Sequence, residues 1–397
     1  MRVFVTGIGI TSAIGNNVTE NLDSLRAGRS GIGTALHFDS KYAELLPFGE
    51  VKMSDEELER ELGDELKANL KGCTRTDLLA FKAFQEAISQ HDASQIAGSE
   101  TALISASTVG GMCLTDQLYR DANLQTPSSI HTDYYSASDH NLALAKAFRI
   151  TGICNTFNTA CSASANAIAY GARLIKSGRV KRAIVGGVDS LAKFTVNGFN
   201  ALTILSESPC KSFDAARNGL NLGEAAAFLV LEGEDLAKKD KILAELKGYG
   251  NANDAHHASA LSEEGDGVIA AVQSALEDAQ LTSSEISHIN MHGTATENND
   301  YCELKGCIDI FKKLPPFCST KTFTGHTLGA ASAVEAIYTI FSIKHQELYP
   351  NLNFSAPIAP FNVEPIISYT PNYPVHHVLS NSFGFSGNCS SLIFSKV

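Results

Sequence analysis

Short apolar runs alternate with stretches of helical periodicity along the first 233 residues. The runs have the length of strands and predict them at residues 2–10, 101–107, 153–157, 183–188 and 225–231. Between them, apolar positions recur on one helix face, which predicts helices at residues 17–26, 54–70, 76–90, 138–148 and 162–176. The strand at 153–157 is expected to be buried. Strands that alternate with helices indicate an α/β fold.

The pattern begins again near residue 234. Apolar runs predict strands at residues 242–250, 287–291, 317–320, 366–370, 377–381 and 390–395, and periodicity predicts helices at residues 266–279, 299–312 and 327–343. Residues 153–177 and 317–343 share one plan, a short strand, a polar turn and an alanine-rich helix. We therefore predict two equivalent α/β halves, residues 1–233 and 234–397, each a mixed sheet layered between helices.

Composition is that of a globular protein and disfavours several kinds of partner. Of the 397 residues, 44% are hydrophobic and 19% are charged, which allows a large core. The net charge of -12 disfavours nucleic acid and anionic membranes, and no apolar run is long enough to span a bilayer. We expect a cytoplasmic protein with neither a membrane nor a nucleic acid as its partner.

The cysteines and the first glycines limit the cofactors that we expect. The nine cysteines form no CxxC motif and no cluster with histidines at zinc spacing, which predicts reduced thiols and no metal site. Gly7 and Gly9 form half of a dinucleotide-binding fingerprint, whose third glycine is missing. Neither a metal nor a nucleotide is therefore expected.

Cys161 stands among small residues, in the turn between the strand predicted at 153–157 and the helix predicted at 162–176. Unpaired backbone N–H groups and the helix dipole favour a thiolate over a thiol at such a position. Most buried cysteines, however, are inert hydrophobic residues. The interpretation of Cys161 as a nucleophile depends on the partners that the rest of the chain supplies.

Three other polar turns follow predicted strands, where binding sites form in α/β sheets. One contains His292, the next contains Lys321 and His326, and the last is the glycine-rich run 381–387. A thiolate can hold an acyl group as a thioester, imidazoles can donate hydrogen bonds to an enolate, and a lysine can set the protonation state of a histidine. Gly384 in the last turn allows the backbone to approach a ligand closely.

Seven ordered motifs make the chain resemble the elongating β-ketoacyl-[acyl-carrier-protein] synthases, the Cys-His-His ketosynthases of the thiolase superfamily. The motifs are VFVTGIGITSAIGNN at 3–17, GRSGIG at 28–33, TACSAS at 159–164, SFDAARNGLNLGEAAAFLVLE at 212–232, HGTATENND at 292–300, STKTFTGHTLGAASAVEAI at 319–337 and NSFGFSGN at 381–388. The resemblance covers almost the whole chain and implies a thiolase-like fold.

The resemblance also implies a catalytic set. Cys161 matches the nucleophile that accepts an acyl group from the thioester of an acyl carrier protein. His292 and His326 match the histidines that hold the malonyl thioester carbonyl and promote loss of CO2, and Lys321 matches the family lysine. The backbone N–H groups of Cys161 and Phe385 match the oxyanion hole, and the Phe385 ring matches an aromatic gate. The implied reaction is the decarboxylative Claisen condensation of fatty acid elongation.

Supporting and substrate-binding positions are implied in the same way. Glu303 matches a buried glutamate on the helix after the first histidine, and Glu335 fits another on the second active-site helix. Thr294 and Thr296 match threonines that contact the phosphopantetheine arm, and Val109 matches a position that lines the acyl pocket. The substrates travel on the phosphopantetheine of acyl carrier protein, so no enzyme-bound cofactor is implied, and the family forms homodimers.

The chain departs from the family pattern at several positions. Ser386 stands where the last turn usually has a hinge glycine, and Cys389 replaces an asparagine that braces this turn. Glu297 stands where proline is common. Residues 206–211 carry no arginine, which removes part of the carrier-docking surface. A replacement basic patch is available at Lys67, Lys71 and Arg75, although exposed basic residues on a helix are ordinary.

Three other interpretations stay open. A dedicated ketosynthase of a polyketide or polyene-type pathway, acting with a related partner subunit, would share the same motifs. A silent partner subunit would lack the cysteine, and a biosynthetic thiolase would use a second cysteine as its base. The presence of Cys161, His292, Lys321 and His326 favours malonyl decarboxylation over the last two.

Overall fold

The computed structural model describes residues 1–63, 73–124 and 129–397. The strands of these residues are β1 Val3–Ser12, β2 Thr101–Ala106, β3 Cys154–Phe157, β4 Arg182–Asp189, β5 Ala225–Gly233, β6 Ala244–Asn253, β7 His288–Asn290, β8 Phe317–Cys318, β9 His377–Phe383 and β10 Asn388–Ser395. Their α-helices are α1 Val18–Arg26, α2 Asp55–Glu61, α3 Arg75–Ile88, α4 Ala93–Ile96, α5 Thr115–Asn123, α6 Asp139–Ala147, α7 Ala163–Lys176, α8 Lys193–Ala201, α9 Asp266–Ala279, α10 Glu297–Phe311, α11 Lys321–Thr324 and α12 Ala331–His345.

The described strands form one hydrogen-bonded sheet in the order β3-β2-β4-β5-β1-β6-β10-β9-β7-β8. Counted outward from the centre, one side of the sheet holds β1, β5, β4, β2 and β3. The other side holds β6, β10, β9, β7 and β8, so the second set of five strands repeats the order of the first. The two sets meet where β1 and β6 pair antiparallel, Phe4 with Glu245 and Val5 with Ala244. Parallel and antiparallel pairs occur in both sets, so the prediction of two equivalent halves with mixed sheets is confirmed.

Two central helices, α7 and α12, bring the halves together. Both contribute to one hydrophobic cluster, which also takes side chains from β1, β5 and β10. In α12 every residue from Ala331 to Ile343 is buried, which is typical of a helix covered on all sides. Small side chains on α7, such as Ala165 and Ala172, allow close packing. The turns that precede these two helices are therefore held against a close-packed centre.

Two strand predictions are wrong in part. Where a strand was predicted at 366–370, the described backbone has a single bridge, between Leu348 and Thr370. Prolines precede and follow this segment, and proline cannot donate to a strand ladder. β3 forms where predicted but is not buried, because it is an edge strand with half-exposed residues.

The described helices differ from the sequence prediction at five places. The helix predicted at 54–70 is seen as α2 up to Glu61, and its residues 64–70 lie outside the described residues. Helices α4, α5, α8 and α11 were not predicted at all. Among the described helices, none combines the length and the apolar character needed to cross a membrane.

Candidate active site

The turn that carries Cys161 joins β3 to α7. Ala160 has a φ of 52°, the left-handed region that L-residues avoid at a cost of roughly 1–2 kcal/mol. Such strained residues cluster at functional sites. The turn places Cys161 immediately before Ser162, the N-cap of α7, and the Cys161 side chain is almost fully buried.

His326 contacts the Cys161 sulfur directly. Its Nε2 lies 2.9 Å from Sγ of Cys161. On the other side of the ring, the backbone N–H of Leu328 donates to Nδ1 at 3.3 Å. Because Nδ1 accepts, the ring hydrogen sits on Nε2 and points toward the sulfur.

His292 is held in the same tautomer by a lysine. The Lys321 ammonium donates to Nδ1 of His292 at 3.0 Å and to the His292 carbonyl oxygen at 2.7 Å. The two imidazole rings are perpendicular, with centroids 5.4 Å apart. Both histidines therefore present Nε2–H groups to the space beside Cys161.

Two buried glutamates support these groups. Glu335 on α12 forms a buried ion pair with Lys321. Glu303 on α10 accepts the backbone N–H groups of His292 at 2.8 Å and Gly293 at 2.9 Å, and Asn381 donates to it at 3.1 Å. Burial raises the pKa of each carboxyl group to about 7, against the opposing effect of these donors. The geometry fits the supporting roles that the resemblance implies for both residues.

Burial and charge keep the two imidazoles neutral. Burial lowers the pKa of His292 and His326 well below the usual value, and the Lys321 charge lowers both further. Neutral imidazoles with Nε2–H groups are hydrogen-bond donors for a developing negative charge. The pair can therefore stabilise an enolate or oxyanion.

The thiol differs from the sequence expectation. Burial raises the pKa of Cys161 to about 11, although the Lys321 charge and the backbone N–H of Phe385 both act to lower it. The helix start favours the thiolate, but the sulfur is buried, and its desolvation opposes ionisation. The thiol is thus the resting form of Cys161. The Lys321 charge and the Phe385 N–H stabilise the thiolate when it forms.

The glycine-rich turn lies directly on the nucleophile turn. The Phe385 backbone N–H faces the Cys161 sulfur. A Cβ at Gly384 would lie 2.7 Å from the Thr159 carbonyl oxygen and 3.3 Å from the Cys161 nitrogen, so only glycine permits this approach. The Phe385 ring stacks on Phe199 of α8, with centroids 5.8 Å apart and an interplanar angle of 15°.

The bracing of this turn comes from Asn388, one position before Cys389. Its side-chain oxygen accepts hydrogen bonds from Ser162 at 2.7 Å, Asn166 at 2.9 Å and Asn251 at 3.1 Å. A brace is therefore present, although Cys389 replaces the asparagine of the family. Ser386 adopts a φ of 66°, so it occupies the conformation that glycine would favour.

Two cavities meet at Cys161. One, of about 470 Å³, has a polar end formed by residues that include Thr294, Thr296 and Asn298, and Gly384 lies on its wall. The other, of about 440 Å³, is mainly apolar. The two share four lining residues, which are Cys161, Phe199, Leu202 and Phe385.

The apolar cavity is lined by neighbours of Val109 and not by Val109 itself. Thr108 and Met112 form that part of its wall. Val109 is 1% exposed and packs in a hydrophobic cluster with Phe48 and Leu191. Val109 therefore lies in the turn that borders the apolar cavity, and a substrate-binding role for its side chain stays a prediction.

The chemistry of the three central groups does not favour a metal ion. The ligand atoms of Cys161, His292 and His326 lie within 4.8 Å of one another, as in a metal site. Each Nδ1, however, accepts from a donor, so each Nε2 carries hydrogen and offers no lone pair. The residues fit hydrogen-bond donation better than metal ligation.

Of the proposed basic patch, only Arg75 lies in the described residues. It forms partly buried hydrogen bonds with Glu224 and a salt bridge with Asp55, so it does not offer a free charge to a partner. Lys67 and Lys71 lie outside the described residues.

The exposed Glu297 also lies at the polar cavity, where its carbonyl oxygen accepts from Arg217 at 2.8 Å.

Sequence reasoning missed two side chains at this site. Phe199 lies on α8, a helix that the sequence pattern did not predict. The aromatic side chain beside Gly198 was a weak signal of a site residue. Asn388 was visible in the last motif, but comparison with the family directed attention to Cys389. Their positions depend on tertiary packing that local patterns do not encode.

Comparisons with known proteins agree with this geometry. The model of the "Beta-ketoacyl synthase, N-terminal domain" matches residues 1–237, and that of the "Beta-ketoacyl synthase, C-terminal domain" matches residues 243–355. The chain is similar to "3-oxoacyl-[acyl-carrier-protein] synthase 2" of Vibrio harveyi, with 29% identity over 416 residues that cover 100% of this chain and 99% of the relative.

Solved structures of similar proteins have the same fold. "The ishigamide ketosynthase/chain length factor" superimposes with a TM-score of 0.93 at 28% identity, covering 100% of this chain and 99% of the other. The ketosynthase of Xenorhabdus doucetiae, solved with its chain length factor, gives a TM-score of 0.88 at 32% identity, with 100% and 98% covered. These matches confirm the predicted thiolase-like fold. The chain belongs to the β-ketoacyl synthase family.

Proposed function

We propose that this protein is an elongating 3-oxoacyl-[acyl-carrier-protein] synthase of fatty acid biosynthesis. It condenses an acyl group held on Cys161 with malonyl-acyl carrier protein, giving β-ketoacyl-acyl carrier protein and CO2. One observation carries the proposal: a thiol and two neutral imidazoles lie within 4.8 Å of one another where two cavities meet.

In the first half-reaction, Cys161 attacks the thioester carbonyl of an acyl carrier protein. A new C–S bond forms, the carrier's C–S bond breaks, and the carrier's thiol leaves with the proton that Cys161 gives up. The Phe385 N–H, which faces the sulfur, and the Cys161 N–H are the proposed donors to the tetrahedral oxyanion. Donors of this kind typically contribute about 3 kcal/mol to transition-state stabilisation.

In the second half-reaction, the malonyl group loses CO2. The C–C bond to the carboxylate breaks, and its electron pair forms an enolate whose oxygen accepts from the Nε2–H groups of His292 and His326. The enolate carbon attacks the acyl carbonyl, the C–S bond to Cys161 breaks, and the thiolate takes a proton from solvent. Lys321 keeps His292 neutral and correctly oriented throughout.

Acyl carrier protein is the proposed partner, and its phosphopantetheine arm is the proposed occupant of the 470 Å³ cavity. The hydroxyl groups of Thr294 and Thr296 lie 2.9 Å apart on this cavity wall, where they can bond the amides of the arm. The 440 Å³ cavity is suited to the acyl chain, because its lining is mainly apolar. The enzyme then needs no cofactor of its own, and we place it in the cytoplasm.

A homodimer is the proposed assembly, with the halves 1–233 and 234–397 as the units of each chain. β3 ends the sheet on the side of the nucleophile and leaves its outer backbone groups unpaired by another described strand. An open edge of this kind is a template for pairing with a second chain. In each chain, the first half supplies Cys161 and the second half supplies the histidines.

A dedicated ketosynthase of a polyketide or polyene-type pathway is the second candidate. Both similar structures above are of ketosynthases with a chain length factor, which supports a related partner subunit in place of a second copy. A silent subunit is disfavoured by the complete site. A thiolase is disfavoured because Cys161 is the one cysteine on the described walls of the two cavities.

The proposal is tested by incubating the purified protein with malonyl-acyl carrier protein and acyl-acyl carrier proteins of several lengths and degrees of unsaturation. CO2 release together with a β-ketoacyl product two carbons longer is expected. Condensation of two acetyl-coenzyme A molecules without CO2 would overturn the proposal in favour of a thiolase. Activity limited to polyunsaturated chains, or dependent on a second subunit, would select the dedicated ketosynthase.

A further inference from the structure

A fully buried carboxylate lies near the site and takes no part in the proposed chemistry. Asp189 ends β4 and is 0% exposed. Its oxygens face hydrogen-bond donors from two separate segments of the chain. These donors are Ser107 Oγ, the backbone N–H groups of Thr108, Val109 and Gly329, and Thr108 Oγ1.

Both oxygens of Asp189 accept hydrogen bonds, and the Thr108 N–H also reaches Oδ2, at 3.1 Å. Oδ1 accepts from Ser107 Oγ at 2.7 Å, from the Thr108 N–H at 2.9 Å and from the Val109 N–H at 2.8 Å. Oδ2 accepts from Thr108 Oγ1 and from the Gly329 N–H, both at 2.6 Å. One carboxylate therefore fastens the turn after β2 to the turn after His326.

The bond to Gly329 fixes the environment of His326. Gly329 follows Leu328, which has a φ of 53° and donates its N–H to Nδ1 of His326. A Cβ at Gly329 would lie 2.8 Å from Oδ2 of Asp189, so the turn is pressed against the carboxylate. Movement of this turn would carry the Leu328 N–H away from Nδ1 and release the tautomer that faces Cys161.

The same carboxylate holds the wall of the acyl cavity. Thr108 and Leu328 both line the 440 Å³ cavity, and Asp189 bonds Thr108 directly and Leu328 through the next residue. The distance between these two wall residues is thus linked to the position of His326.

We infer that Asp189 is a positioning residue, which holds His326 with its Nε2–H toward Cys161 and sets the width of the acyl cavity. This inference rests on the proposed function, because it assigns Asp189 a part in malonyl decarboxylation and in the choice of acyl chain. Asp189 itself lies on neither cavity wall.

Asp189→Asn is the sharpest test, because the amide keeps the shape and loses one acceptor. If the amide oxygen of the new asparagine faces Ser107, Thr108 and Val109, its NH2 group faces the Gly329 N–H. Both of these groups are donors, so the hydrogen bond to Gly329 is lost. The Thr108 hydroxyl can rotate and accept a hydrogen bond from the same NH2 group. The substitution therefore releases the Gly329 turn and leaves the other segment in place.

The expected result is a split between kinetic parameters. The kcat for CO2 release from malonyl-acyl carrier protein falls by about 10- to 100-fold, as for small misplacements of a catalytic group. KM for this substrate stays within about twofold, since the threonine cavity is untouched, and the preferred acyl length shifts relative to the wild type. Gly329→Ala, whose Cβ would lie 2.8 Å from Oδ2 and so push the turn away from Asp189, is expected to reproduce both effects.

Asp214→Asn is the matched control. Asp214 is also buried and accepts from Ala216, Ser355 and Ala356, which lie on neither cavity wall. Wild-type kcat in both Asp189→Asn and Gly329→Ala would overturn the inference, as would an equal loss in the Asp214→Asn control. If Asp189→Asn does not fold, Gly329→Ala decides alone. Absence of CO2 release from the wild type would instead contradict the proposed function.

Discussion

The Lys321 ammonium lies 3.0 Å from Nδ1 of His292 and also bonds the carbonyl oxygen of the same residue. A cation in this position disfavours protonation of the imidazole and forces its hydrogen onto Nε2. The charge that keeps His292 neutral is itself held by Glu335. The buried glutamate, the lysine and the histidine thus form a chain that ends in a hydrogen-bond donor beside Cys161.

Replacing Lys321 by alanine should impair decarboxylation more than acylation. Without the cation His292 is free to change tautomer, and we expect CO2 release to fall by about 100- to 1000-fold, as for loss of one oxyanion donor. The pKa of His292 rises when the positive neighbour is removed, so the acid limb of the kcat/KM profile moves to higher pH. Acyl loading of Cys161, measured by intact mass, continues. An unshifted acid limb would contradict this role, and Glu335→Gln, which retains the lysine, is the comparison.

Glu303→Gln should remove a pH dependence of stability. Burial raises the pKa of Glu303 to about 7, above the roughly 4.3 of an unfolded glutamate. A carboxyl with a raised pKa stabilises the native state at low pH, and that stabilisation is lost as pH rises from about 4.3 to 7. The wild type minus variant difference in unfolding free energy should fall across this window and level off above pH 7. Urea titrations at pH 5, 6 and 8 measure it, and a constant difference would refute the assignment.

Asn388→Ala should loosen the turn that carries Phe385. The substitution removes the acceptor that Ser162, Asn166 and Asn251 share. Each donor keeps another acceptor, so the cost is that of the lost hydrogen bonds, about 0.5–1.5 kcal/mol each. We expect a matching loss in the free energy of unfolding and slower acylation of Cys161. Asn388→Asp keeps the acceptor and serves as the control. Equal stability of the alanine variant and the wild type would show that the brace lies elsewhere.

Met112→Trp should shorten the acyl chains that the enzyme accepts. Met112 lines the 440 Å³ apolar cavity, and a larger ring would occupy space that a long chain needs. Each excluded methylene is worth about 1–3 kcal/mol in discrimination. Competition between short and long acyl carriers measures the change. Leu36→Trp, at a residue that is 71% exposed, is the control, and an unchanged length profile in Met112→Trp would assign the chain to the other cavity.

Much of the fold and of the site could be predicted from local signals. The polar turns after β3, β7 and β8 interrupt apolar runs, so periodicity located them, and the parallel plan of two halves followed from the repeated order of elements. Cys161, His292, Lys321 and His326 then came from the chemistry of those turns. The structure brings all four into one buried cluster.

The remainder depended on packing. Helix α8 contains Gly198 and several residues of low helix propensity, so periodicity did not reveal the element that carries Phe199. The exposure of β3 follows from its place at the edge of the sheet, and its own apolar residues do not indicate that place. The pKa of Cys161 follows from complete burial, whereas the sequence showed only that a helix begins there.

Acyl transfer through Cys161 is the central claim, and intact-protein mass spectrometry tests it most directly. The wild type and Cys161→Ala are each incubated with acyl-acyl carrier protein, weighed, and then mixed with malonyl-acyl carrier protein. The wild type is expected to gain one acyl mass and to lose it upon malonyl addition, with one β-ketoacyl product released for each acyl group lost. Cys161→Ala is expected to gain no acyl mass. Undiminished acylation of Cys161→Ala, or an acyl group that malonyl-acyl carrier protein cannot discharge from the wild type, would contradict acyl transfer through Cys161.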